Sequence, residues 1–251
     1  MDVRPGHYVG FGHSHTASLA SACADLEVEA PGHIRHATVN FLMPPYFPEY
    51  SDRDGNRTLN PAWVQMMQEE LSDPDVIISF CVCGSEWWTW SLTPGPRPFD
   101  FVDPIADDAA PLIGEAIAYE LILRKAVAMF NAIRFVTDTV RRYTQTPIVQ
   151  LAPPPPGRDI EADLFAHPSF GPLVKEYGLS PAPFRLKVWR ACARAMETVC
   201  HAAGIGFLMP PAQALDAEGY LLPAFRQDHI HGNAAWGRLQ LVRLGQFGGA
   251  R

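Results

Sequence analysis

Short apolar runs alternate with helical patterns along most of this chain. Asp75–Cys83 is apolar almost throughout and predicts a strand that is buried on both faces of a sheet. Other apolar runs predict further strands at His7–Phe11, Ile34–Leu42, Pro147–Ala152 and Ile205–Met209. Strands that alternate with helices indicate a parallel sheet covered on both faces. The predicted fold class is α/β: a single-domain, three-layer α/β/α fold with a five-stranded parallel sheet over residues 1–251.

Helical segments are predicted between these strands. Asn60 is predicted as an N-cap with Pro61 at the first helical position, which opens a helix to about Leu71. Gly204 suits the C-terminal cap of a helix over Pro183–Ala203. The remaining predicted helices are Ser14–Ala24, Leu112–Tyr143 and Asn233–Leu244. The predicted connections are the loops Met43–Thr58 and Ser85–Pro111, and an irregular or short-helical region over Gly157–Ser180.

Composition narrows the possible partners and the compartment. The chain has 251 residues and a formal net charge of -7, which argues against a nucleic-acid or anionic-membrane surface. No segment is apolar enough to span a bilayer, and the N-terminus lacks the pattern of a signal peptide. The five cysteines are an odd number, which does not suit a disulfide framework. We therefore predict a cytoplasmic protein with a small-molecule substrate and no nucleic-acid or membrane partner; the oligomeric state stays open.

A serine occupies the turn between the first predicted strand and the first predicted helix. The strand ends near Gly12, and Ser14 follows at the predicted helix start. A serine in this position has its side chain at the edge of the sheet and its N–H at a helix N-terminus, where developing negative charge is stabilised. The alternative is that Ser14 only caps the helix, because serine is a preferred N-cap residue.

An aspartate and a histidine come just before the last predicted helix. Asp228 and His231 are separated by two residues, so the carboxylate can orient the imidazole. The other ring nitrogen of His231 can then take a proton from a serine hydroxyl. The alternatives are a turn residue for Asp228 and a structural loop residue for His231. With Ser14, the chain order of a triad would be Ser, Asp, His.

The Gly12-x-Ser14-His15 turn and the Asp228-x-x-His231 segment resemble the SGNH hydrolases, also called GDSL-type esterases. Further segments resemble a bacterial SGNH subfamily and extend the resemblance to nearly the whole chain: Arg97–Val102, Ala152–Pro155, Phe184–Arg190 and Leu215–Tyr220. The resemblance implies an SGNH/flavodoxin-like fold. It also implies that Ser14 is the nucleophile, His231 the general base and Asp228 the partner that orients His231.

The segment Cys83–Trp88 departs from the family at the oxyanion hole. The family has Gly-x-Asn or Gly-Asn after the third strand, and its Asn donates to the oxyanion, but this segment contains no Asn. Ser85 best matches that position. The family also has a glycine in a second conserved motif, in the loop after the second strand, and no glycine of this chain clearly corresponds to it. The implied oxyanion hole therefore consists of Ser14, Gly84 and Ser85. Loss of one oxyanion donor typically costs about 10²–10³ in turnover.

Four residues around these motifs are candidates for substrate binding. Trp87 and Trp88 could form an apolar or sugar-stacking wall beside the nucleophile, with Glu86 and His15 nearby. The alternative for the tryptophans is that they pack the loop onto the sheet. His15 is usual after the SGNH serine and is expected to order the turn.

Pairs of histidines raise the question of a metal. The pairs are His13 with His15, His33 with His36, and His229 with His231. Catalytic zinc commonly takes three protein ligands, but the chain has no His-Glu-x-x-His or comparable motif. We predict no metal and no cofactor.

The resemblance implies a serine-dependent ester hydrolase that acts on a small acyl ester, such as an O-acetyl carbohydrate, through a Ser14 acyl-enzyme. Two alternatives stay open. The first is an acyltransferase that uses the same triad and admits an acceptor other than water. The second is a binding protein that keeps the fold but has lost efficient catalysis, which the missing Asn would explain.

Overall fold

The computed structural model describes residues 3–48, 50–53, 56–104, 112–165 and 167–247. Its strands are β1 (Gly6–Gly12), β2 (Ile34–Asn40), β3 (Tyr50–Arg53), β4 (Asn56–Leu59), β5 (Ile77–Cys81), β6 (Phe99–Asp100), β7 (Glu115–Ala116), β8 (Ile148–Leu151) and β9 (Gly206–Leu208). Its α-helices are α1 (Thr16–Glu29), α2 (Pro61–Glu70), α3 (Glu86–Ser91), α4 (Tyr119–Met129), α5 (Asn131–Val140), α6 (Glu161–Phe165), α7 (Gly171–Tyr177), α8 (Ala182–Ala202) and α9 (Ala234–Phe247). Short 3₁₀ helices cover Ala212–Ala214 and Pro223–Phe225.

The main sheet has the order β2-β1-β5-β8-β9, and every pair of neighbours is parallel. Each strand lies within or close to one of the predicted runs, so the prediction of a five-stranded parallel α/β sheet is confirmed. When only the strands of this sheet are counted, the order is 2-1-3-4-5, which is the flavodoxin-like order. In such sheets the switch point lies between the first and third strands, here β1 and β5, and ligands bind beyond the carboxyl ends there.

Helices cover both faces of the sheet because its side chains alternate in direction. Tyr8 and Ile77 pack with α1 and α9 through a cluster that includes Leu19 and Leu241. The neighbouring side chains of β1 and β5 point the other way, into a larger cluster with α2, α3, α4, α5 and α8. All five residues of β5 are buried, as its apolar sequence predicts. The three-layer arrangement follows from this alternation.

Two predicted helix caps are confirmed. The side-chain oxygen of Asn60 accepts a hydrogen bond from the N–H of Ala62 at 2.9 Å, at the start of α2. Gly204 follows α8 with φ +66°, a left-handed conformation that glycine adopts readily. The first helix begins at Thr16 rather than at the predicted Ser14, and the residue at its N-cap position is His15. The Ser14 side chain is therefore not used as a cap.

The predicted helix over Leu112–Tyr143 is wrong in its first part and is interrupted. The described residues from Leu112 to Ala118 are not helical, because the Asp100 carboxylate accepts the N–H of Ile113 and β6 pairs with β7. The helix then breaks at Phe130, where α4 ends and α5 begins one residue later. Asp100 itself is buried and pairs with Lys187 of α8 at 2.7 Å.

The two predicted loops contain regular structure. α3 and β6 lie within Ser85–Pro111, and β3 and β4 form an antiparallel pair within Met43–Thr58. The expected short helices of Gly157–Ser180 are α6 and α7. Parts of these predictions, at 49, 54–55, 105–111 and 166, lie outside the described residues, as do 1–2 and 248–251 of the predicted domain.

The helices of the described ranges include none with the length and apolarity needed to cross a membrane. The five cysteine side chains are all buried. The cytoplasmic location stays a prediction.

Candidate active site

The turn that carries Ser14 is shaped by contact between β1 and β5. Gly12 has φ +157°, and a Cβ at this position would lie 2.3 Å from the carbonyl oxygen of Cys81. Only glycine fits such a close backbone approach. The N–H of His13 then donates to the Cys81 carbonyl at 3.2 Å, and α1 begins three residues later at Thr16. Ser14 thus lies beyond the carboxyl end of β1, at the switch point of the sheet.

Ser14, His231 and Asp228 form one hydrogen-bonded chain. The Ser14 hydroxyl lies 2.8 Å from Nε2 of His231, and Nδ1 of His231 lies 2.7 Å from Oδ2 of Asp228. A carboxylate can only accept, so the consistent arrangement has Nδ1–H donating to Asp228 and Ser14 donating to Nε2. The three residues predicted from the sequence are brought together in the order that general-base activation of a serine requires.

Asp228 holds both the loop and the imidazole. Its Oδ1 accepts the N–H groups of Ile230 and His231, each at 2.8 Å, while Oδ2 faces the ring. Partial burial acts to raise the pKa of Asp228, but the hydrogen bonds from the His231 ring and from these two N–H groups outweigh it and lower the pKa. The carboxylate is therefore ionised at neutral pH, as a partner of an imidazolium must be.

His15 lies beneath the triad and not at an open surface. It is 7% exposed, and its ring centroid lies 5.0 Å from that of His231. Burial lowers the pKa of His15 to about 3, with a further contribution from His231, so the ring is neutral. A small cavity of about 10 Å³ separates it from Gln240 of α9, which is fully buried. This placement supports the expected ordering role; the predicted contact of His15 with substrate stays a prediction.

The predicted oxyanion donors follow β1 and β5. Within the described residues, no acceptor takes the N–H of Ser14. The Gly84 N–H, in contrast, donates to Oε2 of Glu86 at 2.5 Å. Ser85 occupies the N-cap position of α3, but its side chain makes no capping hydrogen bond. The Ser85 hydroxyl is therefore not committed to the helix.

The backbone before Gly84 is conformationally unusual. Cys83 has φ +61°, a left-handed value that is rare for residues other than glycine, asparagine and aspartate. Its N–H donates to Nδ1 of His13 at 3.1 Å, which ties this loop to the Ser14 turn. From the sequence, His13 is only one of the histidines considered for a metal. Its structural role depends on a contact between residues 70 positions apart, which no local pattern signals.

Trp87 and Trp88 belong to the core. Each is 1% exposed, and their rings meet edge to face with centroids 5.3 Å apart. Trp88 also contacts His229, with ring centroids 5.1 Å apart, and Phe170 at 6.3 Å. These contacts favour the packing alternative over an exposed wall. The contact between Trp88 and His229 connects α3 to the loop of Asp228 and His231, so the buried tryptophans help to hold that loop in place.

A group of aromatic rings around His229 was not predicted. His229 is 6% exposed and lies against Trp88, Phe170 and His167. Burial lowers the pKa of His229, with Asp228 acting in the opposite direction, so this ring is neutral at pH 7. His229 alternates with His231 along the loop, and the tertiary structure distinguishes the packed ring from the ring that reaches Ser14.

The described part of the chain contains no group of three or more His, Cys, Asp or Glu residues that could hold a metal ion.

The chain was compared with known proteins. No protein-family model matches it, and no curated protein sequence does. A GDSL-like lipase from Bacteroides thetaiotaomicron is similar in structure, with 10% identity over 96% of this chain and 87% of that chain, at a TM-score of 0.47. The periplasmic domain of a lipopolysaccharide acetyltransferase from Salmonella ser. Paratyphi A has 11% identity over 98% and 84% of the two chains, at a TM-score of 0.48. A carbohydrate acetylesterase from Sinorhizobium meliloti has 11% identity over 96% and 97%, at a TM-score of 0.39.

Proposed function

We propose that this protein is a serine-dependent acyl ester hydrolase of the SGNH type. The observation that carries the proposal is the 2.8 Å contact between the Ser14 hydroxyl and Nε2 of His231, with Asp228 behind the ring at 2.7 Å. The three side chains come from opposite ends of the chain and meet beyond the carboxyl end of β1. A serine that merely capped α1 would not need an imidazole with an ionised carboxylate behind it.

The reaction follows from this geometry. Ser14 Oγ bonds to the acyl carbon while its proton passes to His231 Nε2, and the carbonyl electron pair moves onto oxygen. The resulting imidazolium is stabilised by Asp228. When the tetrahedral intermediate collapses, the ester C–O bond breaks and His231 returns the proton to the leaving alcohol. Water then attacks the acyl-enzyme by the same route and releases the acid and free Ser14.

The N–H of Ser14 is the oxyanion donor that we place with most support, because it has no acceptor among the described residues. It precedes α1, whose dipole favours negative charge at this end. Ser85 supplies the second donor through its uncommitted hydroxyl. The substrate that we propose is a small acyl ester, with an O-acetyl group on a carbohydrate as the particular case, since this is what the resemblance to SGNH hydrolases implies.

Covalent labelling tests the proposal. The protein is treated with a fluorophosphonate, so that Ser14 Oγ bonds to phosphorus and fluoride leaves, and intact mass is measured. We expect one adduct on the wild type and none on Ser14→Ala or His231→Ala. Ser72→Ala, which changes an exposed serine bonded to the Glu69 carbonyl, is the matched control and should label normally. A folded wild type that takes no label, or an adduct that persists in Ser14→Ala, would refute the proposal.

A further inference from the structure

The carboxylate of Glu86 occupies the N–H of Gly84, the third donor of the oxyanion hole that the resemblance implies, beside those of Ser14 and Ser85. Its Oε2 accepts the Gly84 N–H at 2.5 Å, a short hydrogen bond of the charge-assisted kind. We propose that Glu86 is a specificity-determining residue that covers the Gly84 oxyanion donor until hydroxyl groups of a polyol substrate draw its carboxylate away. This inference rests on the proposed hydrolase function.

The loop that carries Gly84 lies beside the Ser14 turn because β1 and β5 are neighbours in the sheet. Gly12 pairs with Cys81 across β1 and β5, so the loops that follow these strands leave the sheet side by side. The His13 side chain accepts the Cys83 N–H, which joins the two loops directly. A Cβ on Gly84 would lie 3.0 Å from the His15 ring, whose centroid is 5.0 Å from that of His231. The Gly84–Glu86 contact therefore borders the triad.

The covering carboxylate opposes acylation in two ways. When Ser14 bonds to the acyl carbon, one negative charge forms on the carbonyl oxygen, and the Glu86 carboxylate held against Gly84 opposes a second negative charge at that donor. The Gly84 N–H is also a single donor, and it is already given to Glu86. An ester whose alcohol has no hydrogen-bond donors cannot replace the hydrogen bond that the Glu86 carboxylate accepts from Gly84.

A polyol ester offers such an exchange. An ionised carboxylate only accepts hydrogen bonds, and hydroxyl groups adjacent to the acylated oxygen are donors of the right kind. Hydrogen bonds from these hydroxyls to Glu86 would replace the one from Gly84, and the freed N–H could then turn to the oxyanion. Glu86 would thus favour acylated sugars over simple esters, although it is a carboxylate beside an oxyanion site.

A purely structural role for Glu86 predicts different results for its variants. Glu86 is the first residue of α3, so its contact with Gly84 could serve only to fix the start of a short helix. In that case Glu86→Gln, which keeps an acceptor of the same shape, would leave both stability and catalysis near wild type. Glu86→Ala would lower the melting temperature and the activity together.

The test compares two substrates in three proteins. We measure kcat/KM for p-nitrophenyl acetate and for 6-O-acetylglucose with wild type, Glu86→Gln and Glu86→Ala, and melting temperature alongside. We expect p-nitrophenyl acetate to react at least about threefold faster in both variants, because charge repulsion is removed. The preference for the sugar ester over the simple ester should fall by a similar or larger factor. Glu86→Gln keeps the test decisive if Glu86→Ala does not fold.

Glu27→Gln is the matched control, since the Glu27 carboxylate also accepts a glycine N–H, that of Gly32, on an exposed part of the chain. It should leave both substrates unchanged. The proposal is overturned if the simple ester reacts no faster in Glu86→Gln, or if the preference between the substrates is unaltered. A wild type that takes no fluorophosphonate label would instead overturn the hydrolase function itself, so the two failures are distinguishable.

Discussion

Two groups of residues flank Ser14: the base side, formed by His231 and Asp228, and the oxyanion side, formed by the Gly84–Ser85 loop. They differ in how many of the hydrogen bonds needed for the proposed reaction are already formed. On the base side, His231 and Asp228 are bonded in sequence, and Asp228 also folds its own loop through two N–H groups. On the oxyanion side, the Gly84 N–H is covered by a carboxylate and preceded by Cys83 in a left-handed conformation. For the function that we propose, the base side has the hydrogen bonds of proton transfer already in place, whereas the oxyanion side has to exchange the Gly84–Glu86 hydrogen bond.

The difference shows that the base side and the oxyanion side of Ser14 need different numbers of loops to be positioned correctly. Proton transfer needs one fixed line of three side chains, and a four-residue loop segment holds two of them. Stabilisation of the oxyanion needs donors from separate loops that converge on a point. A change in one loop, such as the absence of an Asn from Cys83–Trp88, therefore alters the oxyanion side and leaves the base side intact.

The largest effect is expected from the base side. Asp228→Asn replaces the acceptor of the His231 Nδ1–H with a group that can favour the wrong tautomer, and turnover should fall about 10⁴-fold. The measurement is kcat on p-nitrophenyl acetate. Asp216→Asn is the control. Like Asp228, Asp216 accepts backbone N–H groups in a turn, three in its case, but it does not contact His231. Equal losses in both variants would mean that Asp228 only folds its loop.

A smaller effect is expected from the oxyanion side. Ser85→Ala removes the uncommitted hydroxyl, and kcat should fall by about 10²- to 10³-fold because that group is a proposed oxyanion donor. Ser85→Thr keeps a hydroxyl and should lose much less. Since the Ser85 side chain does not cap α3, the melting temperature should barely change. Full activity in Ser85→Ala would remove Ser85 from the oxyanion hole.

The smallest effect concerns His15, which lies between the two sides. Its pKa is about 3 in the folded protein and about 6.5 when unfolded, so between these values the unfolded chain binds more protons. Stability must therefore fall as the pH is lowered through that window, by about 1.4 kcal/mol per pH unit. From pH 7 to pH 5 the loss from His15 should reach about 2 kcal/mol.

Urea unfolding of wild type and His15→Phe at the two pH values isolates this contribution. The variant should lose about 2 kcal/mol less than the wild type over the same change. His36, whose pKa burial lowers to about 4, is present in both proteins, so its contribution cancels in the difference. Parallel losses in the two proteins would show that His15 is not buried as a neutral ring.

The sequence supported correct predictions where local chemistry dominates. The apolar runs located the strands of the main sheet, and Asn60 with Pro61 marked the start of α2. The residues predicted as the triad could be named because a serine at a strand-to-helix turn and an Asp-x-x-His loop are both local patterns. The resemblance to SGNH hydrolases then joined patterns from the two ends of the chain.

Predictions failed where distant contacts override local preference. Aromatic residues are only moderate helix formers, yet α3 is a helix because Trp87 and Trp88 are buried in the core. The continuous helix predicted from Leu112 was wrong because Asp100 accepts the N–H of Ile113 and keeps that segment out of the helix. The burial of α3 depends on residues far along the chain, and the Asp100–Ile113 contact joins residues 13 positions apart, beyond the reach of helical periodicity.

The sequence by itself determined the α/β class, the caps of α2 and α8, and the residues able to act as nucleophile, base and orienting acid. Hydrophobic periodicity and turn chemistry involve only residues that are close in sequence, and side-chain type is given by the sequence itself. These features can therefore be recognised without a structure. Only the tertiary structure decided that the His13 side chain accepts the Cys83 N–H, and that Nε2 of His231 comes within 2.8 Å of the Ser14 hydroxyl. These outcomes depend on which loops meet beyond the carboxyl ends of β1 and β5, because packing of the whole sheet sets their distances.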